Sequence, residues 1–175
     1  GGGPVIDIGV HAIDLTWYFM GKPNPVSVSA VTYSKIGDYE TKGVERWTAL
    51  DVDETIFETE DSASGLIRFD NGASLTFDVS WAINGKDTGL YSQVFGSKAG
   101  ASINPFEIYG EEENYLMDIS PVVSEENAFE NEISHFIECI REGKEPICPA
   151  GDGYQVQKML NGIYESAKLG KEILL

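Results

Sequence analysis

Basic residues are scarce in this chain. Its 175 residues carry 12 Lys and Arg against 29 Asp and Glu, a formal net charge of −17. Nucleic acid and anionic membrane surfaces both require fields of Lys and Arg, so neither is expected as a partner. The acidity serves solubility. No apolar run approaches the roughly 18 residues that a membrane-spanning helix needs. Cysteine is almost absent: Cys139 and Cys148 are the two, without a CxxC. Free thiols in a cytoplasmic protein are the expected reading. There is no signal peptide and no initial Met, which points to a fragment or a processed chain. Phosphate-cradling signatures are lacking too. Gly1-Gly2-Gly3 and Gly151-Asp152-Gly153 complete neither GxGxxG nor GxxxxGK. No serine nucleophile elbow is present.

Apolar residues make up 42% and aromatics 11%. That is enough to build a packed core, so the chain is expected to fold as one domain over residues 1–175. Pro4 opens a helical pattern that runs to Phe19, with Gly21 and Pro23 as its stop. Residues 25–36 read as a strand, 37–51 as a polar loop, and 52–60, 62–69 and 73–81 as three further strands. In the last of these Ala73, Leu75, Phe77, Val79 and Trp81 share one face. Asn71-Gly72 marks a hairpin before it. A loop at 83–89 precedes shorter strands near 90–96, 100–104, 106–110 and 114–119. Two helices follow. Residues 125–142 carry an apolar stripe of Phe129, Ile133, Phe136, Ile137 and Ile140 and stop at Gly143; residues 151–169 stop at Gly170. Residues 171–175 could add a short strand.

A helix, a run of strands, then helices is an α+β pattern. It predicts a mostly antiparallel open sheet with helices packed on one face. Val31, Tyr33, Phe57, Tyr91 and Phe95 fall on the alternate strand phase, so the other face is expected to be covered by a partner subunit or another domain.

Asp7, His11, Asp14 and Tyr18 lie within about 60° of one face of the first helix at 100° per residue. Asp7 and His11, four residues apart, are near enough for the carboxylate to hydrogen-bond the imidazole. Such a bond would fix the ring's tautomer and suit it to proton transfer near neutrality. His11 is thus a candidate general acid/base with Asp7 as its orienter. The alternatives are a histidine satisfied structurally by its neighbour, or an O, N, O metal set of Asp7, His11 and Asp14 in a hydrolase. His135 reads as a surface or boundary residue. Trp81, at a strand end, reads as a core cap or as the wall of a binding cleft.

The opening GGGPVIDIGVHAIDLTWYFMG resembles the first helix of the C-terminal domain of the glucose–fructose oxidoreductase / inositol dehydrogenase (Gfo/Idh/MocA) family, with Gly21-Lys22-Pro23 as its exit. GLIRFDNGASLTFDVSWA (65–82) is similar to that family's central hairpin, VFGSKAG (94–100) to its following strand and turn, and NGIYESAKLGKEILL (161–175) to its closing helix and strand.

The resemblance implies a dihydrodipicolinate-reductase-like C-terminal fold. It implies the substrate-binding and oligomerisation half of an NAD(P)-dependent sugar or polyol dehydrogenase. His11 and Asp7 would be catalytic. Asp14 matches the third polar position of the family's pattern, as a helix-stabilising residue or one set behind those that touch substrate; with Trp81, taken from its strand-end position as a cleft wall, it completes the candidate substrate-binding set. A homodimer or tetramer would form through the open sheet face. The family's N-terminal Rossmann domain, with its catalytic lysine, is not part of this chain, and Lys144-Glu145-Pro146 does not replace it. The chain alone is therefore expected to bind no NAD or NADP and to be inactive. The rival reading is a non-catalytic dimeric interaction module.

Overall fold

The computed structural model describes residues 2–36, 58–85, 89–124 and 126–175. The loop expected over 37–51, most of the strand expected over 52–60, and Phe57 lie outside these residues. The chain divides into two compact units: residues 2–89 with 158–175, and residues 90–157.

The first unit starts with a continuous helix. Pro4 has helical dihedrals, Val5–Gly9 forms a widened π turn, and α1 follows over Val10–Phe19. Gly21 ends it with a positive φ of 81°. The Trp17 indole, buried in the helix, donates to the Pro23 carbonyl at 2.7 Å and so ties the exit back onto the helix.

Strands β1 (Pro25–Tyr33), β2 (Ser62–Phe69), β3 (Ser74–Ser80) and β8 (Ile173–Leu174) form an antiparallel sheet in the order β3-β2-β1-β8. Its register sets Val28, Ile67 and Leu75 side by side, and all three are buried. Helix α3 spans Ala150–Leu169, and its Met159, Leu160 and Ile163 are buried in this unit. A Cβ on Gly162 would lie 3.1 Å from Val28, and one on Gly9 would lie 3.5 Å from Val79. Val28 and Val79 are on the same sheet face, so α1 and α3 both pack there. Ser166 supports α3 by donating to the Lys171 carbonyl and accepting from the Ala30 N–H. On the opposite face Val31 and Tyr33 are exposed.

Asp61 knots three strand ends together. Its buried carboxylate accepts the N–H groups of Lys35 and Ile36, and its carbonyl accepts the Trp81 N–H at 2.9 Å.

The second unit holds β4 (Ser92–Phe95), β5 (Gly100–Ile103), β6 (Glu107–Glu112) and β7 (Tyr115–Ile119), an antiparallel sheet in sequence order. Among the described residues the strands thus form two four-stranded sheets, both antiparallel. Inside the second, the buried Ser102 hydroxyl donates to Pro105 and lies 3.0 Å from the Tyr109 hydroxyl, which donates to Glu107.

Helix α2 (Ala128–Glu142) is capped by the Asn127 side chain, which accepts the Glu130 N–H, and it ends at Gly143 in the left-handed conformation. Its apolar stripe exists as the period predicts, but it is exposed: Phe136 is 57% and Ile133 61% accessible. Periodicity fixes which residues share a helix face; it does not fix what lies opposite that face. His135 is half-buried and accepts the Ile147 N–H at 3.1 Å. Cys139 and Cys148 are free.

Candidate active site

Four of the sequence-predicted polar positions, Asp7, His11, Asp14 and Tyr18, are exposed on the first helix. The helix presents them outward because Val5, Gly9, Ile13 and Trp17 occupy the opposite side and are buried. His11 therefore faces solvent rather than the core.

Gly2, Ile6, Asp7, Val10, His11 and Trp81 line one open groove of about 600 Å3. That volume lies in the range of small-molecule sites. Trp81 arrives from the end of β3. Leu75, Phe77 and Val79 alternate toward the helices, Val79 lies against Gly9, and Trp81 continues the same phase one step beyond the strand. Its indole, 45% accessible, donates from Nε1 to Asp7 Oδ2 at 2.9 Å. Trp81 thus lines the groove and is not packed in the core.

The carboxylate of Asp7 thus accepts from Trp81. Among the described residues, no hydrogen bond joins Asp7 to His11. Asp7 sits in the π turn, and its carboxylate is engaged by the Trp81 indole instead of the imidazole. Asp14 stands exposed further along α1 and does not line the groove. Tyr18 lies beyond it, with Lys22 Nζ 5.0 Å from its ring centre. Among the described residues, no group of three or more His, Cys, Asp or Glu side chains is placed to hold a metal ion.

Two residues outside the sequence-predicted site hold the start of the helix. Glu60, only 8% accessible, accepts the Val5 N–H at 3.2 Å and the Tyr164 hydroxyl at 2.7 Å, both on Oε1. Gly3 makes room for it, since a Cβ there would collide with the Glu60 carboxyl group. These contacts join positions 55 and 104 residues apart, which no local spacing signals.

Burial, and then the hydrogen bond to the Glu60 carboxylate, push the Tyr164 phenol well above the usual tyrosine range. The folded chain therefore holds this proton more tightly than the unfolded chain. Its stabilising contribution is complete below about pH 10 and is lost as pH rises toward the folded value. Tyr164→Phe is expected to cost about 1.5–3 kcal/mol at neutral pH, the usual worth of a hydrogen bond to a charged group. The gap between wild type and variant should narrow above about pH 10 in denaturant titrations of the 175-residue chain. A gap that widened with pH would contradict the assignment.

The occupied helix start also bears on dinucleotide binding. A pyrophosphate is held by free N–H groups at a helix N-terminus or by basic side chains. Here the Val5 N–H is taken by a carboxylate, and the groove lining includes no lysine or arginine. That N–H is therefore committed to Glu60.

The profile of the oxidoreductase family C-terminal alpha/beta domain (Gfo/Idh/MocA) matches residues 1–175. A D-glucoside 3-dehydrogenase of Escherichia coli K12 is 33% identical over 178 residues, covering all of this chain and 49% of that protein. The chain spans about half the length of that curated relative. The aldose-aldose oxidoreductase of Caulobacter crescentus, solved with glycerol, superposes with a TM-score of 0.75 at 24% identity, over 99% of this chain and 48% of that one. A levoglucosan dehydrogenase solved with NADH and L-sorbose superposes with a TM-score of 0.76 at 20% identity, over 99% of this chain and 50% of that one. No helix among the described residues is long and apolar enough to cross a membrane. The whole-chain profile match, together with the α+β fold shared with these oxidoreductases, shows that the chain belongs to the C-terminal alpha/beta domain family of the Gfo/Idh/MocA oxidoreductases.

Proposed function

We propose that residues 1–175 are the substrate-binding and oligomerisation domain of an NAD(P)-dependent oxidoreductase that acts on a sugar or polyol. The observation that carries this reading is the groove: His11, Asp7 and Trp81 come from two separate segments and line it together, with the imidazole exposed. The D-glucoside 3-dehydrogenase and levoglucosan dehydrogenase relatives support the substrate class.

Oxidising a carbinol removes a proton from oxygen and a hydride from carbon. His11 takes the hydroxyl proton as general base and returns it in the reverse direction. Asp7 has lone pairs left after the indole bond and accepts from a neighbouring substrate hydroxyl. Trp81 offers a flat apolar wall to the C–H face of a sugar ring. Asp14 is assigned to a more distant part of the substrate. The hydride acceptor is NAD or NADP held outside this chain, on an N-terminal Rossmann domain, so the chain alone is proposed to be inactive. The exposed Val31 and Tyr33 on the open sheet face are proposed as part of a dimer or tetramer contact in the cytoplasm.

The test is a dehydrogenase assay of the full-length protein with NAD and with NADP against a panel of aldoses, glucosides and polyols. Reduced nicotinamide is expected with at least one sugar. Silence across the panel, with the protein folded and cofactor-bound, would favour the non-catalytic interaction module.

A further inference from the structure

We infer that Glu60 is a positioning residue for the groove. Its buried carboxylate clamps the first turn of the leading helix and so sets where Asp7 and His11 stand. The inference rests on the functional reading above for its kinetic consequence, but not for its structural one.

A buried carboxylate is costly unless hydrogen bonds compensate for its lost hydration. Glu60 receives two, both on Oε1, from the Val5 backbone and from the Tyr164 hydroxyl. Val5 supplies the first N–H of the helix, because Pro4 has none. A negative charge at that end also complements the helix macrodipole. Through Tyr164, α3 is tied to the same oxygen, so one atom joins the helix start to a second element of the unit.

The clamped residue, Val5, opens the π turn that carries Asp7, and His11 lies one turn further on. A π turn is an uncommon local geometry. The Glu60 clamp is a tertiary contact placed where it can select that geometry. Releasing it lets the turn relax, moving Asp7 away from the Trp81 indole and His11 away from its place in the groove.

Histidine content makes the structural consequence measurable. The chain has two histidines, His11 in the first unit and His135 in the second. Proton NMR of the imidazole signals of the 175-residue chain reads them separately, with His11→Ala providing the assignment. Glu60→Gln and Tyr164→Phe are expected to shift the His11 signal and leave that of His135 in place. Unmoved His11 signals in both variants would overturn the inference, whatever the enzyme assay shows.

In the full-length protein, kcat is expected to fall in the order wild type, Glu60→Gln, Glu60→Ala. The loss for alanine should be on the order of 10–10² with a smaller change in KM, because misplacing a reacting group by about an ångström costs that much. A merely structural role would lower the melting temperature and leave kcat intact at temperatures well below it. Unchanged kcat in Glu60→Ala, alongside an inactive His11→Ala, would sink the inference and spare the functional reading. Full turnover in His11→Ala would sink the functional reading, leaving the NMR result to decide the clamp. Should Glu60→Ala fail to fold, Glu60→Gln and Tyr164→Phe carry both measurements.

Discussion

Replacing His11 by alanine is expected to lower the turnover of the full-length protein by about 10²–10⁴, the usual share of a general acid/base. The expectation follows from where the residue stands. His11 lines the groove with Asp7 and Trp81, and it is exposed rather than packed. Its removal leaves no cavity in the core, and alanine favours the helix more than histidine does. Stability should therefore change by no more than about 0.5 kcal/mol, the common range for an exposed surface site. Cofactor affinity should be retained, because the proposed function places the cofactor on a separate N-terminal domain. The diagnostic result is thus a loss of kcat with melting temperature and cofactor binding intact. Steady-state kinetics with thermal melting and a cofactor titration on the same preparation provide it. Wild-type turnover would remove His11 from the chemistry.

The second large effect is on stability. Ile67 lies in β2 with no accessible surface, between Val28 of β1 and Leu75 of β3, both also buried. Truncating it to alanine removes buried methyl groups from the middle of a sheet whose flanking strands resist collapse into the gap. The expected cost is about 2–5 kcal/mol. For a chain of this size that is a fall of roughly 4–20 °C in melting temperature. Ile133→Ala on α2 makes the same chemical change at a position 61% accessible. It should cost no more than about 0.5 kcal/mol. Calorimetry of both variants of the 175-residue chain tests the contrast. An equal cost at the two sites would show that the α2 stripe is covered in solution.

The two isoleucines also show why the core was only partly legible in the sequence. Both sit in clear apolar patterns, one of period 2 and one of period 3.6. The pattern assigns each to a face of its own element, and both assignments hold. Only the tertiary structure says that the Ile67 face is covered by helices and that Ile133 is exposed among the described residues.

The same division runs through the candidate site. The sequence alone determined the helix from Pro4 to its glycine stop, the polar stripe bearing His11, the strand phase that carries Trp81, and the family, because each rests on local spacing or on an ordered set of short motifs; that the stripe faces outward was decided by the structure. The tertiary structure alone decided that Asp7 bonds the Trp81 indole, that the helix opens with a π turn, and that Glu60 and Tyr164 hold its start. Those contacts join residues 55 to 104 positions apart. Local spacing governs backbone hydrogen bonds within an element, whereas a side chain's partner is set by which elements the packed core brings side by side.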